Sequence, residues 1–226
     1  MSEKRADNFF LTVDEISILL MLSGMETMYG FQSEKQKGFS EKEAKEAVFS
    51  LGRKGFAKEE KGNIKLIDSL KEVIDIIVNA SIVVSAKRQG MDFNTLCLYA
   101  NGNSWEERVV CVEIAGAEEI FRVGMMKDII SCLDEKGFLP EQLLEDNVLY
   151  QPEEILPDKK WDENDWQSGI ELVNAKTGEL LGELLFYKRP ITDLLVEREA
   201  EGKRIFAYSK KMIRERLDMQ LERSVI

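Results

Sequence analysis

Along the first third of the chain, apolar residues recur at helical spacing and are punctuated by helix start and stop signals. Thr12 followed by Glu15 is a capping box, and Ile16, Leu19 and Leu20 then share one face. Ser40 and Glu43 repeat the device ahead of Ala44, Ala47, Val48 and Leu51. Gly52 and Gly55 stop that helix, with Arg53 and Lys54 complementing its carboxyl end. Phe56–Glu60 and Asn63–Ile67 predict two short strands turning near Lys61-Gly62. A helix from Asp68 follows, burying Leu70, Val73, Ile74, Ile77 and Val78. Helices followed by a small hairpin make a winged-helix-like pattern over residues 1–80.

From Ser81 the period becomes two. Ile82–Lys87, Asn94–Ala100, Arg108–Ile114 and Glu118–Val123 predict strands joined by short connections, hence an antiparallel meander. A helix then carries Met126, Ile129, Ile130 and Leu133 on one face and stops at Gly137, with a short helix expected over Glu141–Asn147. This unit spans 81–150. An acidic, proline-marked connection from Pro152 to Trp166 leads into the third, 151–226. There Ser168–Asn174 and Glu179–Lys188 flank the hairpin residues Lys176-Thr177-Gly178. Ile191–Glu199 and Arg204–Tyr208 pair around Glu201-Gly202, and a closing helix from Ser209 to about Glu222 carries Ile213, Leu217 and Leu221 on one stripe. Strand meander plus helix thus occurs twice. The expected fold class is α+β: an antiparallel β-sheet with flanking helices, a winged-helix-like N-terminal part and a pseudo-two-fold duplicated architecture, in one continuous domain.

Composition narrows the chemistry. The 226 residues carry a net charge of −11 and no histidine. That excludes Ser-His-Asp and Cys-His constellations, His-ligated zinc and imidazole pH sensing. No GxxxxGK[ST], no GxGxxG after a strand and no GxSxG elbow is present, so an enzyme is disfavoured and no cofactor or metal is expected. Cys97, Cys111 and Cys132 lie in apolar patterns without a CxxC pair, which reads as small hydrophobes in a reducing cytoplasm. The polar start Met1–Asn8 is not a signal-peptide pattern, and the apolar runs fall far short of the roughly 20 residues a membrane span needs.

Four places invite a functional reading. The helix and hairpin after Ser40 suggest DNA binding through Arg53, Lys54, Lys58 and Lys61. Yet residues 1–80 carry 12 Lys+Arg against 14 Asp+Glu, and residues 81–226 carry 19 against 28, so neither part offers a broad basic footprint. Glu41, Lys42, Glu43, Lys45 and Glu46 alternate in sign, as on a solvated helix with i,i+4 pairs such as Glu41–Lys45. The segment WDENDW offers Asp162, Asn164 and Asp165 for calcium but lacks the central glycine of an EF-hand loop. Its Trp161 and Trp166 read as loop anchors or as partner contacts. The Met-rich run Met21–Phe31 is read first as core, and second as an adaptable partner surface using Met25, Met28, Tyr29 and Phe31.

The order of elements resembles one family. LTVDEISILLMLSG is similar to the opening helix of EspG-family proteins of type VII (ESX) secretion. LGRKGFAKEEKGNIKLIDSLKEVIDIIVNASIVVSAKRQG is similar to their next feature: a turn, a short hairpin, a helix and the first strand of a meander. Leu51, Gly52, Gly55, Gly62, Leu66, Leu70 and Ile74 carry the match, with Ile82–Lys87 as the strand. The resemblance covers roughly the first 140 residues in pattern and the remainder in architecture, without a diagnostic motif. It implies a central antiparallel sheet with flanking helices in two pseudo-symmetric halves. It also implies a cytosolic, chaperone-like adaptor that binds the helical tip of secreted helical-hairpin heterodimers. No residue of that family's binding surface is carried over, because its binding loop has no clear counterpart here. The expected partner is therefore a helical secretion substrate, bound by a monomer or homodimer. A winged-helix DNA-binding transcriptional regulator is the alternative.

Overall fold

Both capping boxes form. In the computed structural model, which describes residues 8–25, 28–29, 39–61, 63–89, 96–100, 109–115, 120–126, 129–141, 166–188, 193–199 and 202–224, Thr12 N–H donates to Glu15 Oε2 at 2.8 Å and Glu15 N–H returns to Thr12 Oγ1 at 3.3 Å. They open α1 (Val13–Leu22). Ser40 and Glu43 open α2 (Glu41–Arg53) in the same way, satisfying amide donors that a helix start leaves free. Gly55, at φ +74°, turns the chain out of α2 into the hairpin β2 (Ala57–Glu60) and β3 (Asn63–Leu66). Then α3 (Asp68–Val78) buries Leu70, Val73, Ile74, Ile76 and Ile77.

The expected α+β architecture is what the chain forms. One antiparallel sheet of nine strands holds β1 (Asn8–Leu11), β4 (Ile82–Arg88), β5 (Leu96–Ala100), β6 (Val109–Ala115) and β7 (Ile120–Met126). It continues through β8 (Ser168–Asn174), β9 (Leu180–Tyr187), β10 (Leu194–Glu199) and β11 (Gly202–Ala207). The spatial order is β1-β7-β6-β5-β4-β8-β9-β10-β11. Two four-stranded meanders therefore run outward from a central β4–β8 pair, in which Val84 faces Leu172 and Ala86 faces Ile170. Each meander ends in one helix, α4 (Ile129–Glu135) after β7 and α5 (Lys210–Ser224) after β11.

Both helices pack on the same face of the sheet. Ile129, Ile130, Cys132 and Leu133 of α4 share a core with Ile213 and Leu217 of α5 and with Ile82, Val84, Leu98, Ile170, Leu184 and Phe186 below them. Lys210 Nζ, 2.6 Å from Asp134 Oδ2, ties the two helices at the rim. On the opposite face α1, α2 and α3 cover the β1-to-β4 half, where Phe9, Leu11, Val83, Tyr99, Val112 and Phe121 pack beneath them. Leu185, Tyr187, Leu194 and Val196 make a separate small cluster on the other half of that face.

No element was expected at Asn8–Leu11, yet it is a strand, because pairing with β7 places Phe9 opposite Val123 and Leu11 opposite Phe121. One local expectation is corrected. Met126, expected on the helix face, ends β7 opposite Val109, and the helix begins at Ile129. The short helix expected over Glu141–Asn147 and most of the Pro152–Trp166 connection lie outside the described residues.

Candidate functional site

A band of polar side chains crosses the sheet between the two apolar clusters on the α1–α3 side. Its positions follow from register: Cys97 faces Ser85, Ser85 faces Glu171, Glu171 faces Glu183, and Glu183 faces Arg198. Side chains directly opposite in an antiparallel ladder lie about 5 Å apart at Cβ. Lys87, one alternation further along β4, reaches into this row. Its Nζ lies 2.6 Å from Glu171 Oε1 and 2.7 Å from Glu183 Oε1. Arg198 closes the far end at 3.3 Å from Glu183 Oε2, and the Tyr29 hydroxyl donates to Glu171 Oε2 at 3.3 Å. The ring centroid of Trp166 sits 5.5 Å from the Lys87 ammonium, within cation–π range.

Two cations thus balance two carboxylates. Partial burial disfavours the Lys87 ammonium, but hydrogen bonds to Glu171 and Glu183 and their charges outweigh it, so its pKa is raised above the ordinary lysine value. Lys87 is held as a hydrogen-bond donor, the opposite of a lysine prepared for nucleophilic attack. Desolvation and the neighbouring Glu171 also raise the Tyr29 phenol. Gly169, beside this cluster, is packed so closely that a Cβ there would sit 2.7 Å from Leu185 Cδ2 and 3.2 Å from the Leu184 carbonyl oxygen. Among the described residues no group of three or more Cys, Asp or Glu side chains is placed to hold a metal ion.

The structure brings together two of the residues singled out from sequence, Tyr29 and Trp166, on either side of Lys87. Met28 is buried in the α1–α3 core and Met25 packs half-buried against it. The backbone carbonyl of Tyr29 accepts from the buried Tyr99 hydroxyl at 2.5 Å, which fixes this segment onto β5. Phe31, Trp161, Asp162, Asn164 and Asp165 lie outside the described residues. Lys87, Glu171, Glu183 and Arg198 were missed by the sequence reading. Glu171 alternates with Ile170 and Leu172 as any solvent-facing strand residue does, so only the register shows that these charges meet.

The basic residues considered for DNA are placed differently. Lys54 turns inward: its Nζ is 2.6 Å from Oε2 of the buried Glu15 and 3.0 Å from the Phe10 carbonyl oxygen. Arg53 lies over the Phe49 ring at 5.9 Å, and Lys58 and Lys61 are exposed on the hairpin. On the outer face of α2, Lys45 pairs with Glu41 at 2.5 Å and Lys42 with Glu46 at 3.7 Å, the expected i,i+4 pattern. A shallow, open concavity lies there, with the exposed ring of Phe49 in its wall. No protein-family model matches the chain, and no curated protein matches it in sequence.

Proposed function

We propose that the protein is a non-enzymatic, chaperone-like adaptor that binds a helical secreted substrate in the cytoplasm, in the manner of type VII secretion-associated proteins. The observation that carries this reading is the strand order. Two meander-plus-helix units arranged about the β4–β8 pair are the architecture that the EspG-like resemblance implies. The charge-balanced, partly exposed cluster of Lys87, Arg198, Glu171 and Glu183, flanked by Tyr29 and Trp166, supports binding over chemistry, because its lysine is stabilised as an ammonium. No helix among the described residues is long and apolar enough to cross a membrane.

DNA recognition by α2 and the β2–β3 hairpin is the competing reading, and the placement of side chains weakens it. Lys54 is committed to Glu15, and Lys42 and Lys45 on α2 are paired with Glu46 and Glu41. Phosphate contacts supply most of the affinity in non-specific DNA binding, so Arg53, Lys58 and Lys61 would have to carry it alone. Affinity purification from native lysate separates the two. A small helical secretion substrate recovered near one-to-one supports the adaptor. Duplex DNA bound tightly at low salt, weakened steeply by salt and lost in Arg53→Glu, supports the regulator.

A further inference from the structure

Cys111 and Cys132 are far apart in the chain and meet in the core. Cys111 lies in β6 opposite Gly124, which has no side chain to stand between it and α4, and Cys132 lies in the middle of α4. Their Sγ atoms are 3.9 Å apart, and both residues are buried. Just past the end of α4, Lys136 Nζ reaches Glu113 Oε2 of β6 at 2.5 Å, two residues along the strand from Cys111. The third thiol, Cys97, is buried on the opposite face of the sheet, beneath α1–α3. Nothing in the adaptor reading requires two thiols in contact.

The geometry points to Cys111 and Cys132 as a site of two-electron oxidation, in which a peroxide converts the thiol pair into a disulfide that fastens α4 to the sheet. A disulfide needs about 2.0 Å between the sulfurs, so the pair has to close from its 3.9 Å separation. The pair also divides its proton unequally. The hydrogen bond shared with Cys111 outweighs burial and, with the Lys136 charge, lowers the Cys132 thiol from its ordinary value. The same bond, burial and the neighbouring sulfur raise Cys111. In this proposal Cys132 supplies the thiolate nucleophile. It attacks one oxygen of hydrogen peroxide; the O–O bond breaks, and the departing hydroxide takes up a proton as water. Cys132 becomes a sulfenic acid. The Cys111 sulfur then attacks the Cys132 sulfur, the S–O bond breaks, and a second water leaves. Two thiols and one peroxide give one disulfide and two waters. Cys97, whose thiol burial pushes up to about 12, stays protonated and unreactive.

The test uses the full chain, folded and reduced, exposed to hydrogen peroxide, then unfolded and alkylated without reductant. The expected result is a monomer lighter by two hydrogens before alkylation, with a Cys111–Cys132 cross-linked peptide and a single alkylated thiol at Cys97. Dithiothreitol restores three alkylated thiols, Cys97→Ser behaves identically at the pair, and the oxidised protein melts at higher temperature than the reduced one. Three free thiols after oxidation overturn the proposal. So does a disulfide that uses Cys97 or joins two molecules, or oxidation of Cys97 as fast as of the pair.

Discussion

Glu15 shows how one residue can hold two elements together. Its side chain is 1% exposed, and Oε2 receives both the Thr12 amide at the start of α1 and the Lys54 ammonium at the end of α2. Oε1 is buried without a hydrogen-bond partner among the described residues, so the Lys54 charge is what makes an ionised carboxylate tolerable there. Lys54→Ala should cost about 2–4 kcal/mol, read as a lower urea midpoint at unchanged slope, whereas a surface pair such as Lys42–Glu46 should cost less than about 0.5 kcal/mol. Gly169→Ala should lose about 1–3 kcal/mol, because the new methyl meets Leu185 Cδ2 and the Leu184 carbonyl of the adjacent strand. The titrating groups set the pH profile. Without histidine, no imidazole contributes to the pH dependence of stability between pH 6 and 8. Cys97, Tyr29, Tyr99 and Lys87 all have raised folded-state values: burial raises the first three, and the two glutamates raise Lys87. A raised value means the native state keeps a proton that the unfolded chain releases. Their stabilisation is complete below the unfolded values and is lost as pH climbs through the folded ones. Unfolding free energy should therefore fall from about pH 9 upward, and Cys97→Ala should flatten the onset of that fall.

At the scale of elements, short-range signals were the legible ones. Ser40 and Glu43 mark α2 to the residue, and Ser40→Ala should cost about 1 kcal/mol by removing the acceptor for the Glu43 amide. The turn at Lys176-Thr177-Gly178 was equally readable: the Asn174 side chain accepts from the amides of Lys176 and Thr177, and Gly178 takes φ +71°. What escaped was whatever depends on a distant partner. Four residues of β1 carry too little alternation to announce a strand, and it is β7 that makes them one. As an edge strand it is protected by Lys54, whose ammonium bonds the Phe10 carbonyl oxygen. The candidate site divides along the same line. Tyr29 stood out within the Met-rich run and Trp166 as a tryptophan flanked by polar residues, but Lys87, Glu171, Glu183 and Arg198 come from four strands whose register no local pattern encodes.

At the scale of the molecule, the sheet order carries the account. The repeat of meander plus helix was visible in the chain, and the β4–β8 pairing that joins the two halves was not, because nothing in either strand names the other as neighbour. Pairing them side by side gives one continuous sheet with α4 and α5 together on one face and α1–α3 on half of the other. The charge of −11 is concentrated beyond residue 80, where the net is −9 against −2 before it. That distribution repels a phosphate backbone along most of the chain, which is one reason the proposed partner is a protein. The most direct measurement is affinity purification of the intact protein from its native lysate, followed by mass spectrometry and a stoichiometry determination. The expected result is a small, helical, secreted protein at near one-to-one yield, retained at high salt. Recovery of duplex DNA in its place, released by salt, would contradict it.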